Sequence, residues 1–229
     1  MSGRRVVVTG GFGALGRVVA AAFAAQGDRV ARIDFAPSAP DAIADGLDLH
    51  AVDLTDAAAV DRALTDVKAE FGGIDVLVNV AGGFTWETLE GGSLAAWNKM
   101  YAVNLLSNVT ITKAALPEIK ASESGRIINI GAGAAINATA GMGSYAASKA
   151  GVHRLTEALA GELADTCVTV NAVLPSIIDT PANRADMPDA DTSGWVTAQA
   201  VADVVLFLAS PAARSISGAL IPVSHGAAD

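Results

Sequence analysis

The sequence predicts an α/β fold built on a doubly wound parallel sheet, and three features carry the prediction. Short β-branched runs alternate with longer Ala-rich stretches along the chain. The composition is 52% hydrophobic but only 5% aromatic, which suits strands buried on both faces by helices. A glycine-rich turn follows the first apolar run at once. A length of 229 residues indicates one domain, spanning residues 1–229.

The alternation predicts about seven strands with helices on both faces of the sheet. The predicted strands are Arg5–Thr9, Arg29–Asp34, Asp48–Asp53, Val76–Asn79, Gly125–Ile130, Val168–Leu174 and Leu220–Val223. The predicted helices are Ala14–Gln26, Asp56–Phe71, Leu94–Ala121, Ser144–Leu163 and Thr197–Ser210.

Local signals mark several of these boundaries. Gly27 is expected to end the first helix in a left-handed conformation. Thr55 and Thr197 are expected to cap the helices that follow them. The irregular segment of about residues 176–196 is long for a compact domain, and such segments often form binding loops. We therefore predict a substrate loop there.

Charge and hydropathy exclude several classes of protein. The formal net charge is −9 and the longest basic run is the Arg4–Arg5 pair, so no nucleic-acid partner is expected. No uninterrupted apolar run reaches the length of a membrane span, and the first one, Val6–Val8, is too short for a secretory signal. We predict a soluble cytoplasmic protein without a membrane partner.

Cysteine and histidine usage predicts neither a disulfide nor a metal site. The single cysteine, Cys167, lies in an alternating run and is expected to be a buried, inert thiol. His50, His153 and His225 are scattered without acidic or cysteine partners nearby in sequence.

The glycine-rich turn predicts a Rossmann-type dinucleotide site. Gly11-x-Gly13-x-x-Gly16 matches the fingerprint in which backbone N–H groups and a helix N-terminus receive a pyrophosphate. Glycine-rich turns without ligands are common, so the context of strand, turn and helix is what gives the motif weight. The residues of this turn expected to contact the cofactor are Gly10, Phe12, Gly13, Ala14 and Leu15.

Asp34 indicates a preference for NAD(H) over NADP(H). It ends the second predicted strand, where a carboxylate can accept both hydroxyls of the adenosine ribose and would repel a 2′-phosphate. Phe35 and Ala36 follow it and bring no cation. Arg32 precedes it on the same strand face and could weaken the preference. The alternative for Asp34 is a solvated turn residue.

Tyr145 and Lys149 form a candidate acid/base pair. Their i, i+4 spacing places both side chains on one face of a predicted helix. An ammonium group and a cationic nicotinamide ring both favour the phenolate, which tunes a tyrosine for proton transfer. The same spacing is frequent on ordinary amphipathic helices, so the pair alone does not establish a site.

Together these residues resemble the short-chain dehydrogenase/reductase family over essentially the whole chain. Thr9 to Gly16 looks like its TGxxxGxG turn, Asn79-Val80-Ala81-Gly82 like NNAG, and Tyr145 to Lys149 like YxxxK. The resemblance implies that Tyr145 exchanges a proton with substrate, that Lys149 lowers the tyrosine pKa and holds the nicotinamide ribose, and that Asn104 supports a water relay. It also implies further cofactor contacts, at Asp53, Leu54, Val80, Ala81, Gly82, Ile130, Tyr145, Lys149, Pro175, Ile178 and Thr180.

Three positions depart from the family pattern. Ala14 replaces one motif glycine and Ser176 the glycine after Pro175, and both changes are mild. The family serine that bonds the substrate carbonyl is replaced by Ala132, so an ordinary ketone would lose a contact of about 1.5 to 3 kcal/mol. A different acceptor is therefore indicated, unless a water, Asn137 or Thr139 substitutes for the serine.

In motif detail the chain is most similar to dihydropteridine reductases, which also lack that serine and use NADH to reduce a quinonoid dihydropterin. The segments that carry this likeness are Ala81–Gly83, Gly131–Ala132, Gly141–Met142, Val173–Pro175, Asp179–Pro181, Asn183–Arg184, Met187–Pro188, Ala190–Asp191 and Ser193–Trp195. We predict an oxidoreductase acting on a small polar carbonyl or a quinonoid or imine substrate.

Aromatic residues and subunit contacts complete the predicted site. Phe84, Trp86 and Trp195 fall at the carboxyl ends of predicted strands and, with Ala132, are the predicted substrate residues. They could equally pack a loop or a dimer contact. The resemblance implies a homodimer or homotetramer. The alternatives to the predicted enzyme are a general ketoreductase resembling 3-oxoacyl reductases and a non-catalytic NAD-binding sensor.

Overall fold

The computed structural model describes residues 3–43 and 45–225. The predicted domain also includes residues 1–2, 44 and 226–229, which lie outside the described residues. In chain order the strands are β1 (Arg5–Thr9), β2 (Arg29–Ile33), β3 (Leu47–Leu49), β4 (Val76–Asn79), β5 (Arg126–Ile130), β6 (Thr169–Pro175), β7 (Ile178–Asp179), β8 (Val196–Thr197) and β9 (Leu220–Val223).

Seven of the strands in these ranges form one sheet, in the order β3-β2-β1-β4-β5-β6-β9. Every neighbouring pair is parallel. The order reverses between β1 and β4, which leaves a crevice at the carboxyl ends of the strands. The predicted doubly wound α/β fold is confirmed. The short strands β7 and β8 pair separately beside it.

Helices cover both faces of the sheet because successive strand residues point to opposite sides. The helices are α1 (Ala14–Ala25), α2 (Ala57–Phe71), α3 (Leu94–Met100), α4 (Ser107–Ala121), α5 (Gly143–Glu162), α6 (Pro181–Asp186) and α7 (Ala198–Ala209). Val6 and Val8 join the core that α1 and α7 cover. Val7 joins the core that α2, α4 and α5 cover.

The predicted helix Leu94–Ala121 is not a single α-helix. Residues Tyr101–Leu106 adopt a π-helix between α3 and α4. A π-helix inserts an extra residue into a turn, and such insertions often occur at functional sites. Asn104 lies within this segment.

Of the other predicted helix boundaries, two are confirmed and one is wrong. Gly27 has a φ of 83° after α1, and the Thr197 hydroxyl accepts the Ala200 N–H, as predicted. The cap of α2 is Asp56 and not Thr55, because the Thr55 hydroxyl donates to the carboxylate of Asp53 instead.

Two further corrections concern strand ends. Cys167 is exposed, so the prediction of a buried thiol was wrong; β6 begins only at Thr169. The strand predicted at Asp48–Asp53 ends at Leu49, and Ala51 takes a positive φ of 52° as the chain turns away from the sheet.

Among the described residues, no helix is both long and apolar enough to cross a membrane.

Candidate active site

A cleft of about 800 Å³ opens at the carboxyl ends of β1, β2 and β4, where the strand order reverses. Most of the cofactor residues predicted from sequence lie together here. Those that line the cleft are Gly10, Phe12, Gly13, Ala14, Leu15, Asp34, Asp53, Leu54, Val80, Ala81, Gly82 and Thr180.

The glycine-rich turn has the shape that a pyrophosphate needs. Gly10 has a φ of 62°, and a Cβ there would lie 2.8 Å from the backbone nitrogen of Ala81. A Cβ on Gly16 would collide with the Gly10 carbonyl oxygen. The helix α1 begins after Gly13, with no side-chain cap from the described residues and no acid in its first turn. Its first N–H groups and positive dipole end therefore remain available for an anion.

Asp34 is held in place at the mouth of the same cleft. Its Oδ2 accepts the Phe12 N–H at 2.9 Å, and its Oδ1 accepts the Ala36 N–H at 3.0 Å. Each carboxylate oxygen keeps a second lone pair, and these are suited to accept the hydroxyl groups of a ribose. Together with the turn, Asp34 gives a donor and acceptor set that fits a dinucleotide.

The strand β1 also fixes the loop that follows β4. The Thr9 hydroxyl accepts the N–H groups of Val80 and Ala81, at 3.1 and 3.2 Å. These bonds hold the segment containing Gly82 against the turn after β1. The end of β1 and the loop after β4 are thereby joined at the floor of the cleft.

Lys149 lies behind this floor on α5 and is buried. Its Nζ donates to the carbonyl oxygen of Ile130 at 2.8 Å. Burial lowers the pKa of Lys149 to about 8. Lysine carries three N–H donors, so two remain for other partners at this buried position.

Tyr145 lies one turn earlier on α5. Burial raises the pKa of Tyr145 to about 12, so the phenol keeps its proton at neutral pH. The sequence led us to expect that Lys149 lowers the pKa of Tyr145. In the structure, however, the Lys149 ammonium donates to the carbonyl oxygen of Ile130. A lowered tyrosine pKa would thus require the additional positive charge of an oxidised nicotinamide.

Asn104 ties the π-helix to both sides of the site. Its Nδ2 donates to the Ser148 hydroxyl at 3.0 Å and to the Gly83 carbonyl at 3.1 Å. Its Oδ1 accepts the Gly83 N–H at 2.9 Å. The side chain thus locks the loop after β4 against the helix that carries Tyr145 and Lys149.

Ala132 stands at the end of β5 with a methyl group in place of a hydroxyl. It is buried, and its N–H donates to Nε2 of His153 at 3.4 Å. Because this nitrogen accepts, it carries no proton to offer a substrate. Desolvation and the positive charges of Arg154 and Lys149 lower the pKa of His153, which keeps the ring neutral. His153 therefore does not replace the absent serine as a donor.

Of the three predicted substrate aromatics, Phe84 contacts Tyr145, and Trp86 lies against the loop that precedes α5. The Phe84 ring meets the Tyr145 ring edge to face, with the centroids 5.0 Å apart. The Trp86 indole donates to the Ala140 carbonyl and packs on Gly141. Phe84 and Trp86 are about half exposed, whereas Trp195 is only 5% exposed. Trp195 therefore presents little surface to a substrate.

The cleft also includes residues that were not among the cofactor contacts predicted from the sequence. These are Gly16, Phe35, Ala36, Val52, Thr55, Lys99, Ala102, Val103 and Ser107. Gly16 and the neighbours of Asp34 and Asp53 follow from motifs already noted. Lys99, Ala102, Val103 and Ser107 carry no sequence signal, because the π-helix sets which residues of this segment face the cleft.

The other predicted cofactor contacts do not line this cleft: Tyr145 and Lys149 lie on α5, and Ile130, Pro175 and Ile178 lie on β5, β6 and β7. The carbonyl oxygen of Ile130 accepts a hydrogen bond from the Nζ of Lys149. Pro175 ends β6 beside the turn that contains Gly133. Ile178 begins the short strand β7. Within the described residues, no group of three or more His, Cys, Asp or Glu side chains could hold a metal ion.

Comparison with protein families gives a match to the short chain dehydrogenase model over residues 4–191. The chain belongs to the short-chain dehydrogenase family. It is 33% identical to the 3-oxoacyl-acyl-carrier-protein reductase FabG of Escherichia coli, over 98% of this chain and 97% of that protein. The D-beta-hydroxybutyrate dehydrogenase of Cupriavidus necator is 31% identical, over 99% of this chain and 98% of its own.

Structural comparison points to the same family. The aldohexose dehydrogenase of Thermoplasma acidophilum, in ligand-free form, superposes with a TM-score of 0.87. It is 28% identical in sequence, over 96% of this chain and 92% of its own. Members of this family are oxidoreductases that use a nicotinamide cofactor and act on small molecules. The predicted family and enzyme class are confirmed, whereas these relatives do not support dihydropteridine reductases as the closest members.

Proposed function

We propose that this chain is an NADH-dependent reductase whose acceptor is a conjugated, already polarised C=O or C=N group, such as a quinonoid dihydropterin. The observation that carries the proposal is Ala132, a buried methyl group where the family pattern has a serine hydroxyl. An isolated ketone developing charge on oxygen would lose one hydrogen bond there, worth about 1.5 to 3 kcal/mol. An acceptor that spreads this charge over a ring loses less.

The cofactor part of the proposal rests on the turn and on Asp34. The first N–H groups of α1 hold the pyrophosphate, and Asp34 accepts the hydroxyls of the adenosine ribose. A 2′-phosphate would place negative charge against that carboxylate, which favours NAD(H) over NADP(H). The bound nicotinamide supplies the hydride, and the chain's own residues supply the proton and the orientation.

Tyr145 donates the proton to the substrate. Its phenol is protonated in the free protein, because burial holds its pKa near 12. Lys149 remains largely protonated below pH 8, where its ammonium stabilises the phenolate left after proton transfer and holds the nicotinamide ribose. Asn104 fixes the π-helix beside them and supports the water that returns a proton from solvent.

The surroundings of Tyr145 favour a flat acceptor. The Phe84 ring stands edge-on to the Tyr145 ring, and the Trp86 indole lies on the loop at Gly141. Half-exposed aromatic faces next to a proton donor bind planar rings well. No contact with substrate is proposed for Trp195, because it is buried.

A second candidate is a ketoreductase of β-oxoacyl substrates. The relatives favour it, because the chain is 33% identical to a 3-oxoacyl-acyl-carrier-protein reductase over nearly its full length. In that case a water, Asn137 or Thr139 would replace the serine hydroxyl; both of these side chains are exposed. A non-catalytic sensor is disfavoured because Tyr145, Lys149 and Asn104 are all present. The predicted cytoplasmic location and homo-oligomeric state stay predictions.

The test is NADH oxidation by the purified protein with quinonoid dihydropterin, set beside ketones and a β-oxoacyl thioester. We expect turnover with the pterin, reduced by about 10²- to 10⁴-fold in Tyr145→Phe while NADH still binds. Ala132→Ser is the discriminating variant. Ketone turnover that rises in Ala132→Ser, with no pterin turnover in either protein, would favour the ketoreductase. NADH binding without turnover of any acceptor would point to the sensor.

A further inference from the structure

Arg32 lies directly under the glycine-rich turn and yet does not face the cofactor cleft. A Cβ added to Gly11 would come within 2.5 Å of the Arg32 Cβ, so this stretch of β2 packs tightly against the turn. The guanidinium carbon stands 5.3 Å from the centroid of the Phe12 ring. The residue is only 2% exposed. A cation therefore lies within a few residues of Asp34 but is turned away from it.

Two aspartates hold this guanidinium group. The Nε and Nη2 of Arg32 donate to the two carboxylate oxygens of Asp48, at 2.7 and 2.8 Å. Its Nη1 donates to Oδ1 of Asp41 at 2.6 Å, and Nη2 also donates to the Asp41 carbonyl oxygen at 2.8 Å. All three guanidinium nitrogens are thus engaged, which leaves little donor capacity for a phosphate.

Asp41 contacts a second cation as well. Its Oδ2 accepts from Nη1 of Arg17, in the first half of α1, at 3.3 Å. Hydrogen bonding to Arg32 lowers the pKa of Asp41, so the carboxylate is charged at neutral pH. Asp41 therefore bridges an arginine on β2 and an arginine on α1, on either side of the turn that holds the pyrophosphate.

We infer that Asp41 is a specificity-determining residue, which enforces the choice of NAD(H) by keeping Arg17 and the Nη1 group of Arg32 away from a cofactor 2′-phosphate. This inference rests on the proposed function, in which the cleft binds a dinucleotide. Asp34 acts by repelling the phosphate. Asp41 acts by withholding the cations that would compensate for the repulsion. Arg32, which the sequence alone marked as weakening the preference, has no such effect while Asp41 and Asp48 together hold its guanidinium group.

The experiment measures the dissociation constants of NADH and NADPH by fluorescence titration of the whole protein. In Asp41→Asn we expect the ratio of the NADPH constant to the NADH constant to fall roughly fivefold, the size of one partly exposed charge interaction. The NADH constant should change less than the NADPH constant, and retained NADH binding also shows that the variant is folded. The fall in the ratio should be smaller at high salt, because salt screens the attraction between the released arginines and the 2′-phosphate.

Matched variants separate a local effect from a change in net charge. Asp45→Asn removes the same charge from an exposed position of the same loop and should leave the ratio unchanged. Adding Arg32→Gln and Arg17→Gln to Asp41→Asn should cancel the gain. If Asp41→Asn does not fold, the smaller Asp41→Ser provides the same comparison.

The outcomes are distinct. An unchanged ratio in a folded Asp41 variant would overturn the inference, and so would an equal gain in Asp45→Asn. Failure of the wild-type protein to bind either dinucleotide would instead overturn the proposed function.

Discussion

The amide of Asn104 donates to the hydroxyl of Ser148 at 3.0 Å and joins the π-helix to the helix that carries Tyr145 and Lys149. Both side chains are buried. The bond is one of three by which Asn104 holds elements that are distant in sequence. The position of the helix that carries Tyr145 and Lys149, the proposed acid/base pair, is therefore fixed in part by a residue outside that helix.

Asn104→Ala should lower both stability and activity. The substitution leaves the Gly83 N–H and the Gly83 carbonyl, both part-buried, without their partner, which costs about 2 to 4 kcal/mol in the free energy of unfolding. Urea denaturation measures this loss. Asn98→Ala, at an exposed position of α3, is the matched control and should change stability by less than about 0.5 kcal/mol. Equal effects of the two variants would contradict a fixing role for Asn104.

Lys149 should make stability depend on pH in the alkaline range. Its pKa is about 8 in the folded protein, against 10.5 for the ordinary side chain. Between these values the unfolded chain binds more protons, so the free energy of unfolding rises with pH, by up to about 3 kcal/mol. Below pH 8 the cost of burying the charge is fully present.

Denaturation of Lys149→Met from pH 7 to pH 10.5 tests this slope. The variant should lose most of the alkaline rise, whereas Lys113→Met, at an exposed position of α4, should keep it. A slope that persists in Lys149→Met would mean that another group is responsible.

Gly141→Ala should displace the Trp86 indole, which packs on this glycine. Gly141 has a φ of 79°, and a Cβ there would collide with the Trp86 ring. We expect a loss of roughly 1 to 3 kcal/mol in stability and a shift in tryptophan fluorescence. At Gly143 a Cβ would make only ordinary contact with Trp97, so Gly143→Ala should be neutral or stabilising. Unaltered fluorescence in Gly141→Ala would show that Trp86 does not rest on this glycine.

The elements with a strong local signal were predictable from sequence. The turn from Thr9 to Gly16 and the alternation of strands and helices depend on backbone conformation and burial. Both of these are visible in local sequence patterns. Asp34 was placed by the same logic, as a carboxylate at the end of a strand beside the turn.

Features set by distant contacts were not predictable. Nothing near Tyr101–Leu106 marks a π-helix, since the extra residue is accommodated by packing against α5. The partners of Arg32 lie 9 and 16 residues away and meet it only when the loop folds back. Trp195 and Cys167 show the same limit, because their exposure depends on where a loop turns.

The last described strand bears on when this protein becomes active during its synthesis. The Ser176 N–H donates to the carbonyl of Val223 at 2.9 Å, so β9 anchors the segment that follows Pro175. Parallel strands that pair across a long stretch of chain form late in folding. A nascent chain that has not yet released β9 from the ribosome would hold the turn proposed for the pyrophosphate, but the segment after Pro175 would lack this anchor. Dinucleotide affinity and turnover should therefore arise at different chain lengths.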